Sequence, residues 1–164
     1  MQTIAARVSL REITAETVGA IIRLSVAEEQ QDFVAPNAVS LAEALFATEA
    51  WFRAICHDGE PVGFVMLCDE SLRDPPPERP GISLWRFMID AQHQGRGFGR
   101  EALLQVIEHV RGKAAFRTLE LSYVPGPGCP EPFYRSLGFR HTGRVDEDEI
   151  VLELPLDLPP DLPL

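Results

Sequence analysis

Residues 94–99 read Gln-Gly-Arg-Gly-Phe-Gly, and alternating glycines set between a strand and a helix restrict a fold more than any other feature of this chain. Upstream, the apolar run Ile82 to Asp90 predicts a strand. Downstream, Ala102, Leu103, Val106, Ile107 and Val110 recur at three- and four-residue steps, which predicts a helix from Gly99 to about Arg111 with one buried face. Thr118 to Val124 is a further apolar strand, so the unit is β-α-β and its strands are expected to be parallel. Glycine admits positive φ and lets backbone N–H groups approach a ligand with no Cβ in the way. The helix that follows brings its positive dipole end and unpaired N–H groups to the same place, so a phosphate or pyrophosphate is the natural guest. Arg96 and Arg100 add positive charge there.

The spacing narrows the choice of ligand. A nucleoside-triphosphate loop needs Gly-Lys-Ser/Thr after the glycines, and that is absent. A dinucleotide fingerprint needs G-x-G-x-x-G, whereas this turn is G-x-G-x-G, and no second β-α-β unit follows.

The rest of the chain predicts further elements. The opening TIAARVSLREI alternates like a strand, and Thr14 to about Gln30 has apolar residues at near-helical spacing. QQDFVAPN reads as a loop. Ser40 and Glu43 have capping-box spacing for a second helix, with Val39 placed to staple onto Ala44. Trp51 to His57 and Pro61 to Cys68 predict a hairpin turning at Asp58-Gly59. SLRDPPPERPG cannot be regular structure, because its prolines lack donors. After PGPGCPEP a short helix ends at Gly138, and Phe139 to Arg144 with Glu149 to Leu154 form a last hairpin through the acidic VDEDE. The element order β-α-α-β-β-β-α-β-α-β-β predicts an α+β fold: one mixed, mainly antiparallel sheet with helices packed around it.

At 164 residues and 45% apolar composition the chain suits a single domain. Its core is expected over about 3–154, and 155–164 is expected to be a loosely ordered Pro-rich tail. No run of eighteen apolar residues predicts a membrane span, and no basic head with an apolar block predicts a signal peptide. The three cysteines (Cys56, Cys68 and Cys129) have no CxxC pairing, which favours a reduced, cytoplasmic protein without a metal site. A formal charge of −10 argues against nucleic acid as a partner and suits cationic substrates. A homodimer is left open.

Gln94, Gly97 and Gly99 match the Q/R-x-x-G-x-G/A loop of the GNAT (GCN5-related) N-acetyltransferases, which the chain resembles from about residue 3 to 154. LWRFMIDAQHQGRGFGREALLQVIEHV resembles the motif that binds acetyl-CoA in that family, and Phe133-Tyr134-Arg135-Ser136-Leu137-Gly138-Phe139 resembles its F/L-Y-x-x-x-G-F segment. The motifs are also similar to the bacterial small-amine branch, that of the spermine/spermidine acetyltransferases. The resemblance implies the acyl-CoA N-acyltransferase fold, with helices on both faces of the sheet, and acetyl transfer from acetyl-CoA to a small amine without a metal. It implies that backbone groups of Met88, Ile89 and Asp90 pair with the pantetheine arm. It implies further that N–H groups of Gln94, Gly95, Arg96, Gly97, Phe98, Gly99 and Arg100 hold the pyrophosphate. One departure is that Pro127 stands where the family usually places an asparagine.

Acetyl transfer from a thioester needs a deprotonated amine, a stabilised oxyanion and a proton for the departing thiolate. The resemblance assigns the last task to Tyr134 and the oxyanion to a backbone N–H near Met88 or Ile89. The glutamate that polyamine acetyltransferases often carry before the glycine motif is replaced here by Trp85 or Arg86. Glu28, Glu29, Asp32 and Glu131 are the candidates for proton removal or acceptor binding, and a water chain is an alternative. Arg86, on an apolar strand, is expected to be paired or to touch ligand. His93 is expected to be a surface residue, Trp85 to pack in or near the sheet, and Cys129 to be a bystander to the chemistry. Acetylation of a protein N-terminus, a lysine or an antibiotic, or CoA binding without catalysis, are the competing functions.

Overall fold

The computed structural model describes residues 7–156. Seven strands form one sheet in the order β1-β2-β3-β4-β5-β7-β6. They are β1 (Val8–Arg11), β2 (Ala50–His57), β3 (Glu60–Asp69), β4 (Ile82–Ile89), β5 (Thr118–Tyr123), β6 (Arg140–Asp146) and β7 (Glu149–Pro155). Only β4 and β5 run parallel, as the crossover through the long helix requires. The helices are α1 (Val18–Arg23), α2 (Asn37–Ala44), α3 (Phe98–Lys113) and α4 (Glu131–Ser136). No helix among the described residues is long and apolar enough to cross a membrane.

Two clusters of buried side chains occupy opposite faces of the sheet. Phe98, Ala102, Leu103, Val106, Ile107 and Val110 of α3 pack with Leu84, Leu119, Leu121, Tyr134 and Leu152 on one face. Burying an aliphatic side chain of this kind stabilises by about 1.5–3 kcal/mol, so the apolar stripe read from the sequence anchors the crossover. On the other face Ile21, Phe64, Met66 and Met88 meet partly buried side chains such as Leu41 and Trp85. The β2–β3 turn forms at Asp58-Gly59, where both residues have positive φ (50° and 81°), the geometry a two-residue hairpin needs.

Four expectations change. The predicted helix over residues 14–30 is two elements: α1 ends at Leu24, which is extended (ψ 137°), and a 3-10 turn spans Glu28–Phe33. Tertiary hydrogen bonds cause the break, because the Ser25 N–H donates to Asp90 Oδ1 (2.9 Å) and Ser25 O accepts from the Ala91 N–H (2.8 Å). QQDFVAPN is therefore only partly a loop. Ser40 does not cap α2, which begins three residues earlier; its hydroxyl bonds back to Pro36 O, four residues before it. Buried Asn37 ties this start to α1 through Nδ2 and Ile21 O (2.9 Å). The tail expectation fails at its first residues, since Pro155 closes β7 and Leu156 is buried with its N–H donating to Arg117 O. Residues 157–164, and the start of the first predicted strand before Arg7, lie outside the described residues.

Candidate functional site

β4 and β5 pair only at Ser83–Glu120 and Leu84–Leu121. Past Leu84 they part, and the cleft so opened holds two adjoining cavities of about 580 and 920 Å3. The 580 Å3 cavity lies against the glycine turn. It is lined by Gln94, Gly95, Gly97, Phe98, Gly99 and Arg100, by Met88 and Ile89 of β4, and by Cys129, Pro132 and Phe133.

Gly95 and Gly97 have φ of 75° and 84°, and Gly97 stands at the N-cap of α3. That conformation disfavours L side chains, and it turns the first N–H groups of α3 toward the cavity. Gly99 lets the helix close onto the strand, since a Cβ there would meet Ile89 at 3.4 Å and Phe87 and Phe133 at 3.7 Å. Glu101, the acid in the first turn, is occupied by Arg7 and the Val8 N–H, so it does not fill the anion position. A glycine cradle, free helix N–H groups and Arg100 together suit a phosphorylated ligand such as acetyl-CoA. Among the described residues no cluster of metal ligands occurs.

Register settles which backbone groups of β4 face the cleft. The Asp90 N–H donates to Val62 O (2.8 Å), and pairing continues through Ile89–Gly63, Met88–Phe64 and Phe87–Val65. Ladder partners alternate along an antiparallel pair. Asp90 and Met88 therefore turn their backbone to β3, while Phe87 and Ile89 turn theirs to the cleft. Of the three expected pairing residues, Met88 and Asp90 thus have their backbone committed to β3, while Ile89, with Phe87, faces the cleft. Asp90 lies outside both cavities, its carboxylate taking the N–H groups of Ser25 and Gln92. The Gln94 side chain is also engaged: Nε2 donates to Ile89 O (2.9 Å) and Gln30 Oε1 (2.8 Å). Arg96 does not line the cavity; its guanidinium lies over the Phe98 ring, 4.7 Å from the centroid.

The 920 Å3 cavity is framed by residues 31–36, β4 from Ser83 to Phe87, β5 and the β6–β7 hairpin. The two cavities share Phe33, Val34, Phe87, Pro130 and Tyr134, which mark where they join. Tyr134 reaches this point from α4, 8% exposed and packed between Phe133 and Phe139. Burial, with no charge or hydrogen bond contributing, raises its pKa well above the usual phenol range.

Four carboxylates (Asp32, Glu120, Asp146 and Glu149) and two guanidiniums (Arg86 and Arg144) line the larger cavity. Arg144 pairs with Glu120, and Arg86 pairs with Glu43 of α2 at 3.0 Å. The Arg86 Nε is buried without a partner among the described residues. Asp32, Asp146 and Glu149 have no cationic partner among the described residues, and Glu149 accepts from the Ser122 hydroxyl. The free charge of the cavity is thus negative.

Of the acids named from sequence, Asp32 alone lines this cavity; exposed Glu28 and Glu29, on the same 3-10 turn, do not. Glu131 is occupied elsewhere, since the Tyr123 hydroxyl and His141 both bind it and hold its carboxyl below the ordinary range. Tyr123 is in turn pushed up to about 12 by burial and by Glu131. The sequence reading missed Asp146, Glu149, Phe33, Phe87 and Phe133. The acidic VDEDE was legible as a turn, but nothing local shows that β6 and β7 fold back beside β5.

Comparison with known proteins fits this geometry. The profile of the Acetyltransferase (GNAT) family matches residues 24–139. The spermine/spermidine N(1)-acetyltransferase of Bacillus subtilis is 24% identical over 139 residues, covering 85% of this chain and 91% of that protein. The crystal structure of the ribosomal-protein-S18-alanine N-acetyltransferase from Escherichia coli superposes with a TM-score of 0.67 at 17% identity, covering 96% of this chain and 99% of its own. The PaiA N-acetyltransferase of Thermoplasma acidophilum, in complex with coenzyme A, has a TM-score of 0.67 at 14% identity, covering 90% and 98%.

Proposed function

The chain belongs to the GNAT acetyltransferase family and is an acetyl-CoA-dependent N-acetyltransferase, and on that premise we propose that it acetylates a primary amine of a small cationic molecule, of the diamine or polyamine kind, with Tyr134 as general acid. The observation that carries this reading is the meeting of a glycine-cradled cavity and an acidic cavity at one buried tyrosine.

Acetyl-CoA supplies an activated acyl group with a thiolate as its leaving group. The N–H groups from Gly95 to Arg100 and the Arg100 guanidinium bind its phosphates. The cleft-facing N–H groups of Phe87 and Ile89 hold the pantetheine arm and polarise the thioester carbonyl. Tyr134 stays protonated across the working pH range because it is buried, and its hydroxyl donates to the departing sulfur. No carboxylate of the acceptor cavity is assigned as base; the amine loses its proton to water there. Asp32, Asp146 and Glu149 attract the remaining ammonium group of the acceptor, and Arg86 stays with Glu43 as part of the wall. The spermine/spermidine activity named for the Bacillus subtilis relative supports this acceptor class. We place the enzyme in the cytoplasm as a single acetyltransferase domain, which suits three cysteines free of disulfides.

Tyr134→Phe tests the role of the hydroxyl. The variant is expected to fold and to keep its affinity for CoA while kcat falls roughly 100-fold, the lower end for a lost general acid. A kcat within about two-fold of the parent removes Tyr134 from the chemistry.

A further inference from the structure

We infer that His93 binds the donor, its Nδ1 hydrogen-bonding the hydroxyl of the pantetheine arm next to the diphosphate. This rests on the acetyltransferase reading above and adds a side chain to a donor site otherwise made of backbone N–H groups and the Arg100 guanidinium. The sequence suggests a surface residue, yet His93 is half-buried and lines the 580 Å3 cavity with Gln94 and Gly95. Its Nδ1 is buried and has no hydrogen-bond partner among the described residues. Buried polar atoms are nearly always paired, so one left unpaired in a ligand cavity calls for a ligand atom.

The backbone under the imidazole is fixed. His93 closes the 3-10 turn Ala91–His93, and its N–H donates to Asp90 O (2.8 Å). The Asp90 carboxylate takes the N–H groups of Gln92 and Ser25, and the Ala91 N–H donates to Ser25 O. Neighbouring polar side chains are committed elsewhere. Gln94 and Gln30 bond to each other, to Ile89 O and to the Ala27 N–H, so neither turns to His93. Chain order then places the contact. Phe87 and Ile89 turn their backbone to the cleft and take the arm, while the N–H groups from Gly95 onward take the phosphates, and His93 stands between them. At that point, just before the diphosphate, the arm of CoA carries a hydroxyl. A hydroxyl both donates and accepts, so it suits Nδ1 in either tautomer of the neutral ring.

The test measures binding rather than turnover, by calorimetry on the whole protein with two probes. One is CoA; the other is its nucleotide half, which carries every phosphate and no arm. The parent is expected to bind both. His93→Phe keeps a planar ring and removes the nitrogen. It should raise Kd for CoA about 5- to 20-fold, the range for a hydrogen bond lost at a buried group. Its Kd for the nucleotide half should stay within about two-fold of the parent, since no phosphate contact is removed. His93→Asn, whose amide reaches the Nδ1 position, should bring CoA affinity back to within about three-fold of the parent. His93→Ala serves if the phenylalanine variant does not fold, with the same split between probes expected. Unchanged CoA affinity in a folded variant without the nitrogen would overturn the assignment. Equal losses for the two probes would also overturn it, by putting Nδ1 on a phosphate. A parent that binds neither probe overturns the donor site and His93 with it, a result distinct from a variant effect that fails to appear.

Discussion

The two sides of the cleft between β4 and β5 are built from different materials. On the glycine side the proposed recognition groups are backbone N–H groups, presented by one continuous stretch from Phe87 to Arg100. On the acidic side they are side chains, delivered by residues 31–36, β4, β5 and the β6–β7 hairpin, which are far apart in the chain. A backbone site is sensitive to φ and to any added Cβ, but indifferent to most side chains nearby. A side-chain site is the reverse: its frame tolerates change while its charge decides the ligand. One side therefore fixes which donor chemistry the fold performs, and the other leaves the acceptor open to adjustment.

The contrast breaks most visibly at Gly97. Gly97→Asp imposes a strained left-handed conformation on an L residue (φ 84°) and places a carboxylate at the N-terminus of α3. The thermal stabilisation by acetyl-CoA, about 2.7 kcal/mol at a ligand concentration 100 times Kd, is expected to vanish. Retained stabilisation would mean that the phosphates bind elsewhere.

The pH profile sharpens the contrast next. An alkyl ammonium has a pKa near 10, so kcat/KM for a polyamine should rise roughly tenfold per pH unit from 7 to 9 as the reactive free base appears. Tyr134 is pushed above the ordinary phenol range, so it keeps its proton over this interval and no falling limb should intervene. A maximum below pH 9 would point to a different acid.

The smallest effect belongs to the acidic wall. Asp146→Asn with Glu149→Gln should raise KM for spermidine about two- to five-fold, the size expected for partly exposed charge interactions, with kcat little changed. Glu28→Gln with Glu29→Gln, outside the cavity, should leave KM within about two-fold of the parent. The opposite ranking would return the acceptor site to the surface of the 3-10 turn.

The same division explains what the sequence disclosed. β4, the glycine turn and α3 were legible because the helical period, the glycines and the strand lie in one run, each enforcing the next. The Asp58-Gly59 hairpin was legible for the same local reason. The helix over residues 14–30 was misread because its interruption is caused by Asp90 and Ala91, more than sixty residues away. Ser40 and Glu43 carry a capping signature, yet Asn37, buried against α1, starts the helix earlier. The resemblance pointed to the backbone of Met88, Ile89 and Asp90 as a block, but a motif does not say which way a strand's N–H groups turn; only the pairing with β3 does, and it leaves Ile89 alone of the three facing the cleft. Glu131 looked available beside Tyr134 until β6 brought His141 to it at 2.8 Å. Asp146 and Glu149 could not be read as an acceptor wall, because their place depends on β7 inserting between β5 and β6.

The central claim is acetyl transfer to a small cationic amine across the join at Tyr134. Its most direct test is thiol release from acetyl-CoA with spermidine, with a monoamine of matched length and a neutral tail, and with an amine bearing a carboxylate, each at low and high salt. Turnover is expected in the order spermidine, neutral tail, carboxylate, with the spermidine advantage shrinking as salt screens the partly exposed acidic wall. Equal turnover of all three at both salt concentrations, or none from a protein that still binds acetyl-CoA, would contradict it.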